Sequence, residues 1–178
     1  PKYSKGPNEL SHRKYKYWFQ NTIQFSWRTM IIIRKAKPGD EHDILLLIKE
    51  LAIYEKEPDA VENTAEEIHS HLFDERICEA FVAEKKTEII GFALYYTSYS
   101  TWKGKCLYLE DLYVKSEMRR YGVGKKLFEK VAAVARSKKV RRMEWKVYDW
   151  NQPAIDFYLK LNAQINSEWL NGRIEFEY

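Results

Sequence analysis

Arg119-Arg120-Tyr121-Gly122-Val123-Gly124 separates a β-rich run, Lys105–Val114, from a helical one, Gly122–Ser137. A helix start presents unpaired backbone N–H groups and about half a unit of positive charge, so a basic, glycine-bearing turn there can hold an anion. The glycines let a phosphate approach the backbone, and Arg119, Arg120, Lys125 and Lys126 add charge. No second glycine precedes a Lys-Ser/Thr pair, so the P-loop spacing is not met, and neither is GxGxxG. An ordinary basic turn is the competing reading. Upstream, Glu110-Asp111 place two carboxylates in the strand, where strict alternation points them to opposite faces. Downstream, Tyr158 continues an apolar helix face with Ile155 and Leu161, which suits a core position, while its hydroxyl suits a proton donor. His69-x-His71 point to different faces of a helix, with no Cys or acid cluster to complete a metal site. Cys78 and Cys106 have no motif partner for nucleophilic catalysis. No metal is expected.

The elements that must position these residues read clearly from Ile31 onward. Ile31–Lys35 is expected as a first strand. Asp40 is expected to cap a helix through Lys56, with Ile44, Leu47, Ile48 and Leu51 on one face. Thr64-Ala65-Glu66-Glu67 is a capping-box match opening a short helix to Phe73. Ala80–Glu84 and Ile89–Ser98 form a hairpin around Lys85–Glu88. The helix from Gly122 turns Val123, Leu127, Val131, Val134 and Ala135 inward. Arg142–Val147 is expected as a strand, and Asn151 as the cap of a helix with Pro153 in its first turn, ending near Asn162. Ala163–Ser167 and Arg173–Tyr178 are expected as last strands, joined across Asn171-Gly172. The order is β-α-α-β-β-β-α-β-α-β-β.

The chain has 178 residues, 45% of them hydrophobic and 15% aromatic, enough for one ordinary domain and too apolar for a wholly disordered chain. The longest apolar runs are about five residues, as at Ile44–Ile48, far short of the roughly 20 that span a bilayer. No apolar signal segment is expected near the start, and two cysteines 28 residues apart suit a reducing compartment. The net charge of +4 divides unevenly: residues 1–29 carry +5 and the remaining 149 carry −1. Residues 1–30 are therefore expected to be a basic, disordered extension, and 31–178 the domain. Tyr15, Tyr17, Trp18 and Phe19 among Arg13, Lys14 and Lys16 also allow an arm that docks on RNA, a membrane surface or a partner. Beyond that arm, nucleic acid and membrane are not expected as partners.

Val114-x-x-x-x-Arg119-x-x-Gly122-x-Gly124 resembles the coenzyme A pyrophosphate signature of the GNAT N-acetyltransferases, and the element order is similar to theirs. Ile48-Lys49-Glu50-Leu51-Ala52-x-Tyr54-Glu55, Gly91-Phe92-Ala93-Leu94-Tyr95-Tyr96, Tyr108-Leu109-Glu110-Asp111 and Asn151-x-Pro153-Ala154-Ile155-x-Phe157-Tyr158 are similar to the diamine (spermidine/spermine) and thialysine N-acetyltransferase branch. Ser100-Thr101-Trp102-Lys103-Gly104 and Asp149-Trp150-Asn151-Gln152 resemble the thialysine members more; polyamine members typically carry an acid where Ser100 stands. Arg120 and Asn162 occupy positions where most relatives have Gly.

The resemblance implies an α/β GNAT acyl-CoA N-acyltransferase fold, a mixed and mostly antiparallel twisted sheet flanked by helices. It implies acetyl-CoA as cosubstrate, a primary amine on a small cationic acceptor and a homodimer; direct attack is expected because no nucleophile is placed, and a cytoplasmic location because the cysteines suit a reducing compartment and no signal or spanning segment is expected. It implies Glu110 as base and Tyr158 as acid. For acetyl-CoA it implies Leu112, Tyr113, Val114, Arg119, Arg120, Tyr121, Gly122, Val123, Gly124, Lys125, Asn151, Pro153 and Ala154, with the N–H groups of Leu112 and Val114 freed by a bulge for the thioester carbonyl and pantetheine. For the amine it implies Tyr54, Glu55, Trp102, Glu110, Asp111, Glu144, Trp145 and Lys146. The competing functions are acetylation of a protein N-terminus or lysine, and a non-catalytic acyl-CoA- or RNA-binding module.

Overall fold

Alternating apolar residues drive the chain into a sheet whose centre is covered on both faces. In the computed structural model, which describes residues 31–168 and 170–176, the strands are β1 (Ile31–Lys35), β2 (Glu79–Lys85), β3 (Glu88–Ser100), β4 (Gly104–Val114) and β5 (Met143–Glu144). They lie in chain order, antiparallel except for the parallel pair β4–β5. The helices are α1 (Glu41–Tyr54), α2 (Ala65–His69), α3 (Val123–Ser137) and α4 (Gln152–Leu159). Two compact units divide the chain after Glu144. The expectations for residues 1–30 lie outside the described residues.

In the first unit, Val82 on β2 pairs with Phe92 on β3, and both join Ile44, Leu47, Ile68 and Leu72 in one apolar cluster with α1 and α2. All of Ile89–Ala93 is buried, so the opposite face is covered too, and α3 packs along β1 to β4. Val123, Leu127, Val131 and Ala135 are buried on α3 at the expected spacing, with Val134 half-buried. Burying each large side chain of this set contributes about 1.5–3 kcal/mol.

Local signals decide the ends. Thr64 forms the expected capping box, Glu67 N–H donating to Thr64 Oγ1 at 3.2 Å and Thr64 N–H to Glu67 Oε2 at 2.9 Å. The helix it opens widens at Ser70–Asp74 into a π turn. Asp40 stands at the start of α1 but makes no side-chain cap. Its carboxylate instead accepts from Arg34 at 2.6 and 3.0 Å and from Lys37 N–H at 2.9 Å. A charge-assisted bidentate pair outcompetes a neutral N–H.

Three expected strands differ. Arg142–Val147 forms a ladder only at Met143–Glu144, opposite Leu107 and Tyr108. The parallel ladder stops two residues short of an irregularity in β4 at Glu110. In the second unit, residues 163–168 and 170–176 form no strand, although Asn162 takes the expected left-handed turn, φ +62°. Ile174 and Phe176 are 80% and 72% exposed. Residues 177 and 178 are outside the described set.

Gly91 lies on β3 opposite Val114, where an added Cβ would sit 2.7 Å from the carbonyl oxygen of Tyr113 and 3.2 Å from Val114 Cα. Backbone cannot swing aside as a side chain does. Gly91→Ala should therefore lower stability by about 1–3 kcal/mol, read as an earlier urea midpoint.

Candidate functional site

β3 and β4 pair evenly from Ser100↔Gly104 to Tyr95↔Leu109, and then Leu94 pairs with Asp111. Glu110 is thus an extra residue on β4, a bulge that breaks the alternation expected to send Glu110 and Asp111 to opposite faces. The consequence is electrostatic. Burial, then Glu110, then Glu55 push the Asp111 carboxyl up to about 7. Tyr96 is pushed up to about 12 by burial and then by the Glu110 carboxylate. Tyr108 rises for the same reasons, with Glu144 and Asp111 adding to the effect. Glu55, the residue after α1, is half-buried and is itself raised by burial. Among the described residues no ion pair neutralises Glu55, Glu110 or Asp111, whereas Glu144 pairs with Arg142 at 3.1 Å. Three carboxyls from α1 and β4 therefore share one region without a cation.

The same strand offers donors. Lys115 N–H reaches Ile90 O on β3 at 3.0 Å. By alternation Tyr113 N–H also faces β3, and the N–H groups of Leu112 and Val114 face the other edge. Beyond Tyr108 no described strand pairs with that edge.

At the end of β4 the chain turns through Ser116–Met118 into the basic loop. The Arg119 guanidinium does not point out as a bare charge. It lies 4.7 Å over the Tyr54 ring and 5.4 Å from that of Tyr113, and Arg119 Nε donates to Val114 O at 3.0 Å. Tyr113 hydroxyl donates to Glu50 at 3.2 Å. Arg120 adopts φ +66°, the left-handed conformation that glycine enters freely, and Gly122 caps α3 at φ +78°. Nothing lies within 4 Å of where a Cβ on Gly122 would stand, and the first turn of α3 carries no acid. Arg120, Tyr121 and Lys125 are exposed beside it. An open helix start ringed by cations and free of carboxylates fits a pyrophosphate.

Trp102 and Ser100 stand elsewhere. They occupy the β3–β4 hairpin tip, where Trp102 is 80% exposed and Ser100 Oγ accepts from Trp102 N–H at 3.3 Å and Lys103 N–H at 3.2 Å. Six strand residues, about 20 Å, separate Gly104 from Glu110. A cavity of about 440 Å³ lined by Ile31, Ile33, Lys126, Glu129 and Lys130 contains none of the site residues.

In the second unit Asn151 is buried and accepts from Ala154 N–H at 3.3 Å, with Pro153 in the first turn of α4. Tyr158 is 7% exposed, its ring 4.7 Å from Trp145 and 5.1 Å from Phe157. Lys146 Nζ bonds Asn171. Sequence reasoning missed Tyr96 and Tyr108, whose rings stack at 5.3 Å. Tyr108 and Glu110 are two apart on one strand, a period that names them as neighbours; Tyr96 needs the β3–β4 register, which no local pattern supplies.

Residues 45–163 match the model of the acetyltransferase (GNAT) family. The chain is 43% identical over 159 residues to a thialysine N-epsilon-acetyltransferase of Bos taurus, covering 83% of this chain and 94% of that protein. It is 36% identical over 139 residues to the human spermidine/spermine N(1)-acetyltransferase-like protein 1, covering 74% of this chain and 20% of that protein. Among solved structures, an aminoglycoside acetyltransferase from an uncultured soil metagenomic sample superposes with a TM-score of 0.71 at 18% identity, covering 84% of this chain and 98% of that one. That likeness is one of fold.

An aspartate raised in the folded chain above its unfolded value, ordinarily 3.8, costs the fold nothing while both states are protonated. The cost grows as pH rises from about 4 and is complete above the folded value of about 7. Asp111→Asn should therefore be more stable than the parent at pH 8, by about 4 kcal/mol at most, with the gap closing towards pH 4 in denaturant titrations.

Proposed function

The chain belongs to the GNAT acetyltransferase family, and from that membership we propose that it acetylates the primary amine of a small cationic acceptor, a thialysine-like amino acid or a short diamine first among them. The observation that carries the reading is the set of three carboxyls, Glu55, Glu110 and Asp111, gathered at a strand bulge without a counter-cation. A cationic amine supplies the missing charge. The similarity to thialysine N-epsilon-acetyltransferases of several mammals supports the acceptor class.

An alkylammonium has a pKa of about 10.4 and must lose a proton before it can attack. Glu110 takes that proton, directly or through water, while Glu55 and Asp111 hold the cation and Tyr54 lends an aromatic wall. When bound, acetyl-CoA supplies the activated acyl group. Leu112 N–H donates to the carbonyl oxygen as negative charge develops on it, and Val114 N–H donates further along the strand edge. Arg120, Tyr121, Gly122, Val123, Gly124 and Lys125 hold the pyrophosphate at the start of α3, with Arg119 bracing the loop from behind. Asn151, Pro153 and Ala154 are assigned to the same cosubstrate, and Tyr158 to protonation of the leaving thiolate, on their motif alone. Glu144, Trp145 and Lys146 are assigned to the amine on the same ground. The working form is taken as a homodimer in the cytoplasm. Cys78 and Cys106 are free thiols, and among the described residues no helix is long and apolar enough to cross a membrane.

Acetyl-CoA-dependent thiol release, measured over thialysine, lysine, diamines, spermidine, spermine and small peptides, tests the substrate. Thialysine-like amines or short diamines should outrank spermine in kcat/KM; spermine as best substrate by a wide margin, or turnover of peptides alone, would refute the acceptor class.

Removing either proton-handling group should show in turnover. Tyr158→Phe and Glu110→Gln are each expected to lower kcat about 10²–10⁴-fold, with acetyl-CoA affinity in Glu110→Gln little changed by calorimetry. Unaltered turnover in both would sink the assignment.

A further inference from the structure

We propose that Asp111 is the second proton-handling carboxyl of this site, receiving the ammonium proton from Glu110 and holding it until it leaves for solvent. The proposal rests on the acetyltransferase reading above and deepens it.

The geometry comes first. The bulge makes Asp111 the residue that resumes pairing, opposite Leu94, immediately after the unpaired Glu110. Asp111 is half-buried. Among the described residues it makes no ion pair, and it accepts from no N–H or O–H group. The charged and titratable groups that act on it are Glu110 from its own strand and Glu55 from the end of α1, both carboxyls. It acts in turn on Tyr108, whose hydroxyl is raised. A carboxyl used only to hold a cation is better left exposed, where ionisation costs nothing. This one sits where two like charges and desolvation favour its protonated form, so it is built to accept a proton at neutral pH.

The chemistry favours such a group. An ordinary glutamate, near 4.3, is about six units below the ammonium; a carboxyl near 7 is about three below, which makes the captured proton about 10²–10³-fold easier to keep. The bookkeeping closes. The N–H bond of the ammonium breaks and an O–H bond forms at Glu110; the proton passes to Asp111, and Glu110 is again a carboxylate. The freed lone pair forms the C–N bond as the C–S bond breaks. The nitrogen then sheds a second proton, which replaces the one given by Tyr158 to the thiolate. Asp111 releases its proton to water, so one proton leaves per turnover.

The test uses the whole chain. The acid limb of kcat/KM against pH should fall near 7 in the parent. Asp111→Asn should lose about 10²–10³-fold in kcat and lose that limb, a larger effect than the rise in amine KM expected from removing one of the carboxyls that hold the cation. Asp111→Glu should recover part of the rate. In Glu110→Gln the relay is cut and the limb should go with it, while the titration of Asp111 itself should move to lower pH, because a neighbouring negative charge is gone. An infrared band of a protonated carboxyl that titrates near neutrality, and is absent from Asp111→Asn, reads the group without activity. A limb near 7 that survives in Asp111→Asn overturns the proposal; so does the absence of the titrating band. A parent chain with no amine-dependent thiol release overturns the acetyltransferase reading itself, and this proton route with it. Loss of fold is separated by melting, where Asp111→Asn should match or exceed the parent above pH 7.

Discussion

Glu110 has no partner on β3, and the acidic face follows from that one unpaired residue. An even ladder would have sent the carboxyls of Glu110 and Asp111 to opposite faces, one into the helices and one to solvent. The extra residue shifts the phase of β4 by one, so that Asp111 feels both Glu110 and Glu55. It also ends the parallel ladder with β5 at Tyr108–Glu144. A strand that stops pairing on one side presents its N–H groups there, and those of Leu112 and Val114 are the ones that alternation leaves outward. The gathered carboxyls and the outward N–H groups thus come from one interruption.

Rigidity behind that interruption comes from Arg119. Its planar guanidinium covers Tyr54 and Tyr113 and ties back to Val114 O, so the end of α1, the end of β4 and the loop before α3 share one side chain. Lysine could match the charge but not the two ring contacts together with the carbonyl bond. Arg119 was read from sequence as one more cation for a phosphate. Its contacts make it the brace of the loop, while Arg120 and Lys125 remain as the outward charges.

What depends on neighbours in sequence was legible. The Thr64 box, the turn between Lys85 and Glu88, the buried stripe of α3 and the helix start at Gly122 are each fixed within a few residues. What depends on a distant partner was not. The bulge is a relation between β3 and β4, and nothing local in Tyr108-Leu109-Glu110-Asp111 announces it. Asp40 has the right type and place for a cap, but Arg34 on β1 takes its carboxylate. The stretches after Asn162 have strand-like alternation, yet alternation describes a face and not a neighbour. The gathering of Glu55 with Glu110 likewise needs α1 to end beside β4, a fact of tertiary packing.

An unpaired strand edge is also a hazard. Any chain with free N–H and C=O groups in extended form can add to it, the first step of edge-to-edge aggregation. Here the stretch without a second described strand is only six residues, Leu109–Val114, and its bulge bends the strand away from the flat geometry that a foreign strand requires. The two carboxyls at Glu110 and Asp111 repel one another and any copy of themselves. The groups read as proton carriers thus also guard the edge, so replacing both with neutral residues would remove a chemical function and a solubility device at once.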